Sequence, residues 1–372
     1  MPPAVRVRRS AALVFSFEAG VVVGESFLAR KRAALAPHAI GLLTLLESWR
    51  TPEELFAGVE EPEARTALAA EIVGLIDLGF IVVEGSPVAD LDERYRRDWK
   101  WGASAGLYHF GIKDPEYVGP AQAYEILTQR AATHPSPPLY ATNDGLPRTP
   151  LAPPDPSGFV AHLAGRRSTR AFDATRQLPL AALRDCLYAG LAIVAFGESS
   201  LASEGLLPLK PTPSGGARNP FDAYVVARDV EGLAPGVYHY AGIDHSLGLV
   251  RAGMPPSAEV LLGGQAWFAG AAAVVILVAS FERCWWKYPH PTGFRVVLLE
   301  AGHIAQNLLL AAAEHDLAAT PTCAVSDRAL EELIGLDRVT QAAVHTVALG
   351  RRAPAPSYAD LPSIVPNPRL PR

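Results

Sequence analysis

Cysteine is scarce in this chain: Cys186, Cys284 and Cys323 are the only three among 372 residues, alongside two methionines. That is too few and too scattered for a disulfide framework or a cysteine-rich zinc site, and no metal is expected. A reducing cytoplasm is the expected compartment. Charge of one sign is also in short supply. A formal net charge of -5 argues against a general polyanion binder, although it leaves room for a local basic pocket. The chain has no GxGxxG fingerprint that would mark a separate nicotinamide domain. Long apolar runs are few. Val260 to Phe281 carries no charge and would span a bilayer by length, but Gly263-Gly264-Gln265 interrupts it, and Ala271 to Ala279 reads as a buried strand. The amino-terminal stretch Arg6-Val-Arg-Arg-Ser-Ala-Ala-Leu-Val-Phe15 is broken by Glu18 and lacks a small-residue cleavage pattern, so it reads as a strand rather than a signal peptide.

What is present suffices for two domains, with 49% apolar residues. Residues 1–90 form one unit. Apolar alternation over Ala12 to Val23 predicts a hairpin, and Leu42, Leu43, Leu45 and Leu46 give Ile40 to Trp49 helical spacing. Thr51-Pro-Glu-Glu54 is a capping box with proline at the first helical position. A helix over Ala64 to Leu78 stops at Gly79, and a strand follows at Phe80 to Glu84. Helices followed by a strand suggest a small winged-helix-like domain.

Such domains often bind DNA, but this one is unsuited to it. From Thr51 to Phe80 the acids are Glu53, Glu54, Glu60, Glu61, Glu63, Glu71 and Asp77, against Arg65 alone. That stretch would repel phosphate, so no nucleic-acid partner is expected. Two uses remain open: docking a peptide by strand addition to an exposed edge, or serving as a packing or dimerisation appendage.

Residues 91–156 read as a transition ending in a proline-rich linker, Pro135 to Pro156. Residues 157–352 form the larger domain, followed by a tail over 353–372. Helices are predicted at Leu180 to Val194, Arg295 to His315 and Asp327 to Ile334. Strands are predicted at Ala223 to Ala227, Gly236 to Tyr240, Ala272 to Ala279 and Val344 to Leu349. The mixture indicates an α+β domain with one mainly antiparallel sheet.

Five motifs carry chemistry. Arg166-Arg-Ser-Thr-Arg170, at the end of a helix, places three guanidiniums and two hydroxyls within five residues, enough for an anion site or a solvated basic turn. Pro213-Ser-Gly-Gly-Ala-Arg-Asn-Pro220 couples a hydroxyl to glycines that allow close backbone approach, as in a ligand-binding loop or a plain surface turn. Trp285-Trp-Lys287-Tyr288-Pro-His-Pro-Thr-Gly-Phe-Arg295 offers a lysine that desolvation would turn into a usable base, with a tyrosine beside it. Glu300-Ala-Gly-His-Ile-Ala-Gln-Asn-Leu has core-helix spacing, and His303 reads as a satisfied buried histidine. Thr320-Pro-Thr-Cys323-Ala324 follows that helix. Cys323 has no motif partner that would make it a covalent nucleophile.

These motifs, in this order, resemble the FMN-dependent nitroreductase superfamily. Within it they resemble the SagB-type azoline dehydrogenases. Arg166, Ser168 and Arg170 match the pattern that holds the FMN phosphate and ribityl chain, with Arg167 at its variable position. Pro213-Ser-Gly-Gly216, a strand, then Gly232-Leu-Ala-Pro-Gly-Val-Tyr-His-Tyr240 and His245 match the SagB-type run closely. In the superfamily that loop contacts flavin from the partner subunit, which implies a homodimer with composite sites. Ala217 departs from the asparagine common in general nitroreductases, so the backbone of Pro213, Gly215 and Gly216 together with Ser214 must suffice. Lys287-Tyr288 matches the pair implicated in proton removal. The loop matching Cys323 and Ala324 points backbone N–H groups at flavin N5, and Arg351, or else Arg352, matches a further phosphate-binding cation.

The resemblance implies a nitroreductase-like fold that oxidises thiazolines or oxazolines in a peptide to azoles. A base removes a ring proton and a hydride leaves for the flavin, in either order; oxygen is the expected reoxidant. The partners implied are an azoline-containing precursor peptide and a cyclodehydratase. The alternatives are an NAD(P)H-dependent nitro- or quinone reductase on the same fold, whose superfamily relatives also lack GxGxxG, and a flavin-free peptide-binding scaffold.

Overall fold

Among the described residues, five helices open on proline, whose missing N–H falls among amides that have no intrahelical partner in any case. The structure is a computed structural model describing residues 5–134, 158–199 and 205–357, with Leu139, Asp360, Leu361, Ser363 and Ile364. The linker expected at Pro135 to Pro156 lies outside the described residues, Leu139 excepted. The chain divides into two compact units. One comprises residues 1–113, 280–297 and 337–342; the other comprises 114–279, 298–336 and 343–372.

The first unit starts with β1 (Val7–Arg9), β2 (Leu13–Glu18), β3 (Val21–Ser26) and β4 (Lys31–Leu35). Helices α1 (Pro37–Leu45), α2 (Pro52–Phe56) and α3 (Pro62–Asp77) follow, then β5 (Ile81–Val83), α4 (Pro87–Asp98) and α5 (Gly102–Gly111). β2, β3 and β4 form an antiparallel meander, while β1 pairs with β5. The expected hairpin is therefore β2–β3. The expected capping box is closed at both ends, Thr51 Oγ accepting from Glu54 N at 3.3 Å and Thr51 N donating to the Glu54 carboxylate at 3.0 Å.

Leu42, Leu43, Leu46, Ile72, Leu75, Phe80 and Ile81 fill the core of the α1–α3 region. The Arg8 guanidinium meets the Asp92 carboxylate at 2.7 Å with both side chains almost fully buried, tying β1 to α4. Asp92 also accepts from the Ser10 hydroxyl and from Ala11 N, so its lone pairs are used. Removing one partner of such a pair costs about 3–5 kcal/mol, because the other charge is left buried.

The stretch read as a transition is helical over much of its length, through α4, α5 and α6 (Pro120–Thr133). A cluster of rings holds α4 and α5, while α6 buries none of its residues. Trp99, Trp101, His109, Phe110, Phe281 and Phe294 pack at centroid separations of 4.7–5.9 Å, mostly edge to face. Each such pair adds about 0.5–1.5 kcal/mol beyond area burial.

The remaining elements in chain order are α7 (Gly158–Gly165), α8 (Leu180–Leu191), β6 (Ala195–Glu198), β7 (Leu206–Leu209), β8 (Phe221–Ala227), β9 (Gly236–Ala241), β10 (Ser246–Ala252), α9 (Ala258–Leu261), β11 (Ala273–Ser280), α10 (Phe281–Trp285), α11 (Thr292–Glu314), β12 (Leu317–Thr322), α12 (Asp327–Ile334) and β13 (Gln341–Arg351). The central sheet has the order β10-β9-β8-β11-β13-β12. The pairings β10–β9, β9–β8, β8–β11 and β12–β13 are antiparallel, which makes this the expected α+β sheet flanked by helices.

The charge-free run Val260 to Phe281 becomes α9, a short turn and β11. All eight residues of β11 are buried, the pattern of a strand covered on both faces. Among the described residues, α11 is the one helix long and apolar enough to cross a membrane by composition, with 44% of its most apolar window buried.

Candidate functional site

The arginine motif begins where α7 ends at Gly165. Thr169 N donates to Ala319 O at 3.1 Å and the Thr320 hydroxyl donates to Thr169 O at 2.7 Å, so residues 166–170 lie along β12. Asp173 N donates to Arg351 O, and Ala353 N to Ala171 O, which lays the next residues beside the end of β13. Arg166 is half-buried and its guanidinium reaches Ser168 Oγ at 3.4 Å. Arg167 is exposed and donates to the carbonyls of Ala164 and Arg166. The backbone N of Arg170 is held by Asp360 at 2.8 Å. Arg351 donates to Gln177 O at 3.3 Å, and its neighbour Arg352 donates to Leu317 O at 3.3 Å. Among the described residues, no carboxylate pairs with Arg166, Arg167 or Arg351. Guanidiniums bonded only to a hydroxyl or carbonyls keep their charge available to an anion, so these residues fit a phosphate-bearing cofactor.

The Pro213-Ser-Gly-Gly loop is backbone-strained. Gly216 has φ 61°, and Ala217 and Asn219 follow with φ 54° and 45°. A non-glycine residue there costs roughly 1–2 kcal/mol, which the surroundings must offset. Asn219 supplies the offset. Its side-chain amide donates to Pro208 O at 2.7 Å and Ala217 O at 3.0 Å, and its backbone N donates to Ser214 Oγ at 2.9 Å. Asparagine before proline, and asparagine's tolerance of left-handed backbone, could have flagged this anchor in the sequence.

Behind the loop, Glu300 of α11 is 2% exposed. Burial raises its pKa, against the opposing influence of Ser214, Lys210, Gly215 and His303. His303 itself is exposed, not the buried histidine expected, because α11 turns Leu299, Gly302, His303 and Gln306 outward together. These positions recur at helical spacing and form one open face.

Cys323 is exposed after β12, and its Sγ lies 3.1 Å from His345 Nδ1, a partner from β13 that no linear motif announces. Burial raises the thiol's pKa and lowers that of His345. Both shifts favour a neutral thiol beside a neutral imidazole, a hydrogen bond rather than an activated thiolate. Ala324 N donates to the Thr322 hydroxyl at 2.9 Å.

Lys287 and Tyr288 belong to the first unit, the other candidate residues to the second. Their loop follows α10, with Lys287 N and Tyr288 N both donating to Cys284 O, at 3.2 and 3.0 Å. The indole of Trp101, 1% exposed, donates to Tyr288 O at 2.9 Å. A side chain on Gly293 would place Cβ 2.6 Å from that same carbonyl and 2.9 Å from the indole nitrogen, so only glycine fits beneath the loop. Tyr288 is half-buried, but Lys287 is exposed. The desolvation expected of a lysine base is thus absent from this chain's own packing, because the loop carries Lys287 outward.

The nitroreductase family profile matches residues 163–351. The trifolitoxin-processing protein TfxB of Rhizobium leguminosarum bv. trifolii is 32% identical over 149 residues, 38% of this chain and 39% of TfxB. MJ1384 of Methanocaldococcus jannaschii, described as a candidate nitroreductase, is 35% identical over 127 residues, 34% of this chain and 63% of that protein. The chain spans less than two thirds of the length of these curated relatives. The solved E. coli microcin synthetase McbBCD complex, with truncated pro-MccB17 bound, contains a chain similar over 71% of this one and 92% of its own length. That similarity has 18% identity and a TM-score of 0.45.

Proposed function

This chain belongs to the nitroreductase family, and from that membership we propose that it is an FMN-dependent azoline dehydrogenase of the SagB type, oxidising thiazolines or oxazolines of a precursor peptide to azoles. The family is one of flavin-binding oxidoreductases. The observation that carries the finer reading is the Lys287–Tyr288 pair, set on a loop whose backbone is pinned by a buried tryptophan just ahead of α11. Similarity to a trifolitoxin-processing protein supports a role in peptide maturation.

Arg166, Ser168 and Arg170 would hold the FMN phosphate and ribityl chain, with Arg351 adding positive charge. The loop of Pro213, Ser214, Gly215 and Gly216, and the backbone at Cys323, would face the ring; the Ala324 N–H, expected to do so as well, is instead turned to the Thr322 hydroxyl. When bound, FMN would supply the acceptor for the hydride, which carries both electrons of the oxidation. Lys287 removes the azoline ring proton that the neighbouring carbonyl acidifies, and Tyr288 hydrogen-bonds the substrate or relays that proton. Substrate closing over Lys287 supplies the desolvation that the chain alone does not.

The open face of α11 suits the homodimer with composite sites, and the cytoplasm is the compartment. The first unit, with its strand edges and its acidic stretch from Thr51 to Phe80, would dock the precursor peptide, with a cyclodehydratase supplying the azoline.

The test is anaerobic incubation of purified, FMN-loaded protein with an azoline-containing peptide. Mass spectrometry should record the loss of two hydrogens per ring, matched by bleaching of the flavin absorption. The similarity to MJ1384 favours a second reading, an NAD(P)H-dependent nitroreductase. Steady nitroaromatic reduction with an unaltered azoline peptide would replace the first reading by the second, and protein that takes up no FMN would defeat both.

A further inference from the structure

The Glu300 carboxyl is buried without a hydrogen bond of good geometry to either oxygen. The polar and charged groups facing it are the Ser214 hydroxyl and Gly215 amide from the loop, Lys210 after β7, and His303 on its own helix. Lys210 Nζ is engaged with Phe221 O at 3.2 Å. A buried carboxylate with so little direct compensation is costly, so burial extends the protonated form to higher pH than in an ordinary glutamate.

Ser214 makes that proton matter. A hydroxyl has one hydrogen to donate and two lone pairs to accept with. Asn219 N already occupies one lone pair, at 2.9 Å. One hydrogen and one lone pair remain, to be divided between Glu300 and whatever the loop faces. An ionised Glu300 can only accept, so it draws the hydroxyl hydrogen inward and leaves a lone pair outside. A protonated Glu300 donates into the remaining lone pair and frees the hydrogen to point outward.

We propose that Glu300 is a positioning residue whose bound proton turns the Ser214 hydroxyl outward, as a donor to an acceptor atom of the ligand on the Pro213–Asn219 loop. This rests on the reading that the ligand there is FMN, whose ring presents carbonyl oxygens as acceptors. Loss of the proton reverses the polarity that Ser214 offers. The loop's affinity for the oxidised flavin then falls as pH rises through the Glu300 midpoint.

Two readouts other than turnover test this. In the apoprotein with 13C-labelled glutamate, the carboxyl resonance absent from Glu300→Gln should titrate above the ordinary glutamate range. Its midpoint should rise further in Ser214→Ala, which removes a group favouring the ionised form. In FMN binding followed by fluorescence quenching, wild type should weaken by about tenfold across that midpoint, the scale of one hydrogen bond gained or lost. Glu300→Gln, whose amide donates at any pH, should stay tight throughout, and Ser214→Ala should be weak and independent of pH. An unmoved midpoint in Ser214→Ala, or a wild-type pH dependence surviving in Glu300→Gln, overturns the proposal. Should Glu300→Gln not fold, the Glu300 resonance is identified instead by its loss in Glu300→Asp, and Ser214→Ala carries both measurements. If wild type binds no FMN at any pH, the flavin reading of the loop fails, while the resonance midpoint still decides the link between Glu300 and Ser214.

Discussion

Trp101→Phe isolates the contact that shapes the proposed catalytic loop. The substitution keeps a ring against Phe281 and Phe294, whose centroids lie 5.7 and 5.5 Å from the indole, but it deletes the N–H bonded to Tyr288 O. Losing that bond is worth about 1 kcal/mol, more if the carbonyl finds no water. The three side-chain heavy atoms lost from a nearly fully buried site add about 2 kcal/mol in transfer and cavity terms. Hydrogen exchange separates these contributions, because the Lys287 and Tyr288 amides bond to Cys284 O and are released when the loop opens. The loop's own share of about 1 kcal/mol should speed exchange over residues 284–294 roughly fivefold. Azole formation should fall while FMN content holds, since the proposed phosphate-binding residues belong to the other unit. Gly293→Ala should do the same by a different route, by pushing Cβ into the Tyr288 carbonyl. Exchange and thermal stability in Trp101→Phe indistinguishable from wild type would refute this account of the loop.

Lys287→Ala should retain FMN and lose azole formation; an active variant would remove Lys287 as the base. Arg166→Ala should weaken FMN binding by roughly ten- to a hundredfold, the worth of one charge-assisted contact to phosphate, and equilibrium dialysis showing unchanged affinity would end its phosphate role. His109 is held well below the ordinary histidine pKa, chiefly by burial and then by Lys113. The native state therefore refuses a proton that the unfolded chain accepts. The stabilisation is complete above about pH 6.5 and is lost as pH falls from there toward the depressed value, at about 1.4 kcal/mol per pH unit. Urea unfolding should show this acid slope in wild type and its reduction in His109→Gln, and equal slopes would exclude His109 as the cause.

Much of the candidate site could be named from the sequence because the chemistry proposed for it lies in contiguous residues. Arg166 to Arg170, Pro213 to Gly216 and Lys287-Tyr288 are each short enough to read as motifs. The helix α11 was legible by its period, and Thr51 by its cap. His303 was misjudged because periodicity says which residues share a face but not whether another element covers it. Lys287 was expected to be desolvated, yet its exposure depends on the direction its loop takes, which Trp101 sets from 186 residues earlier in the chain.

Residue types and their spacing determined on their own the α+β class, most helix and strand positions, and the cationic and basic groups on offer, while the family came from the resemblance that the motifs carry in their order. Those properties depend on local backbone preference and on side-chain chemistry that needs no partner. Pairing at long range was decided only by the tertiary structure: Cys323 with His345, Glu300 behind Ser214, Arg8 with Asp92. Each joins side chains whose partners were settled when sheet register and helix packing brought them together, and burial then raised the pKa of Glu300 and Cys323 and lowered that of His345. No short window of sequence carries that information.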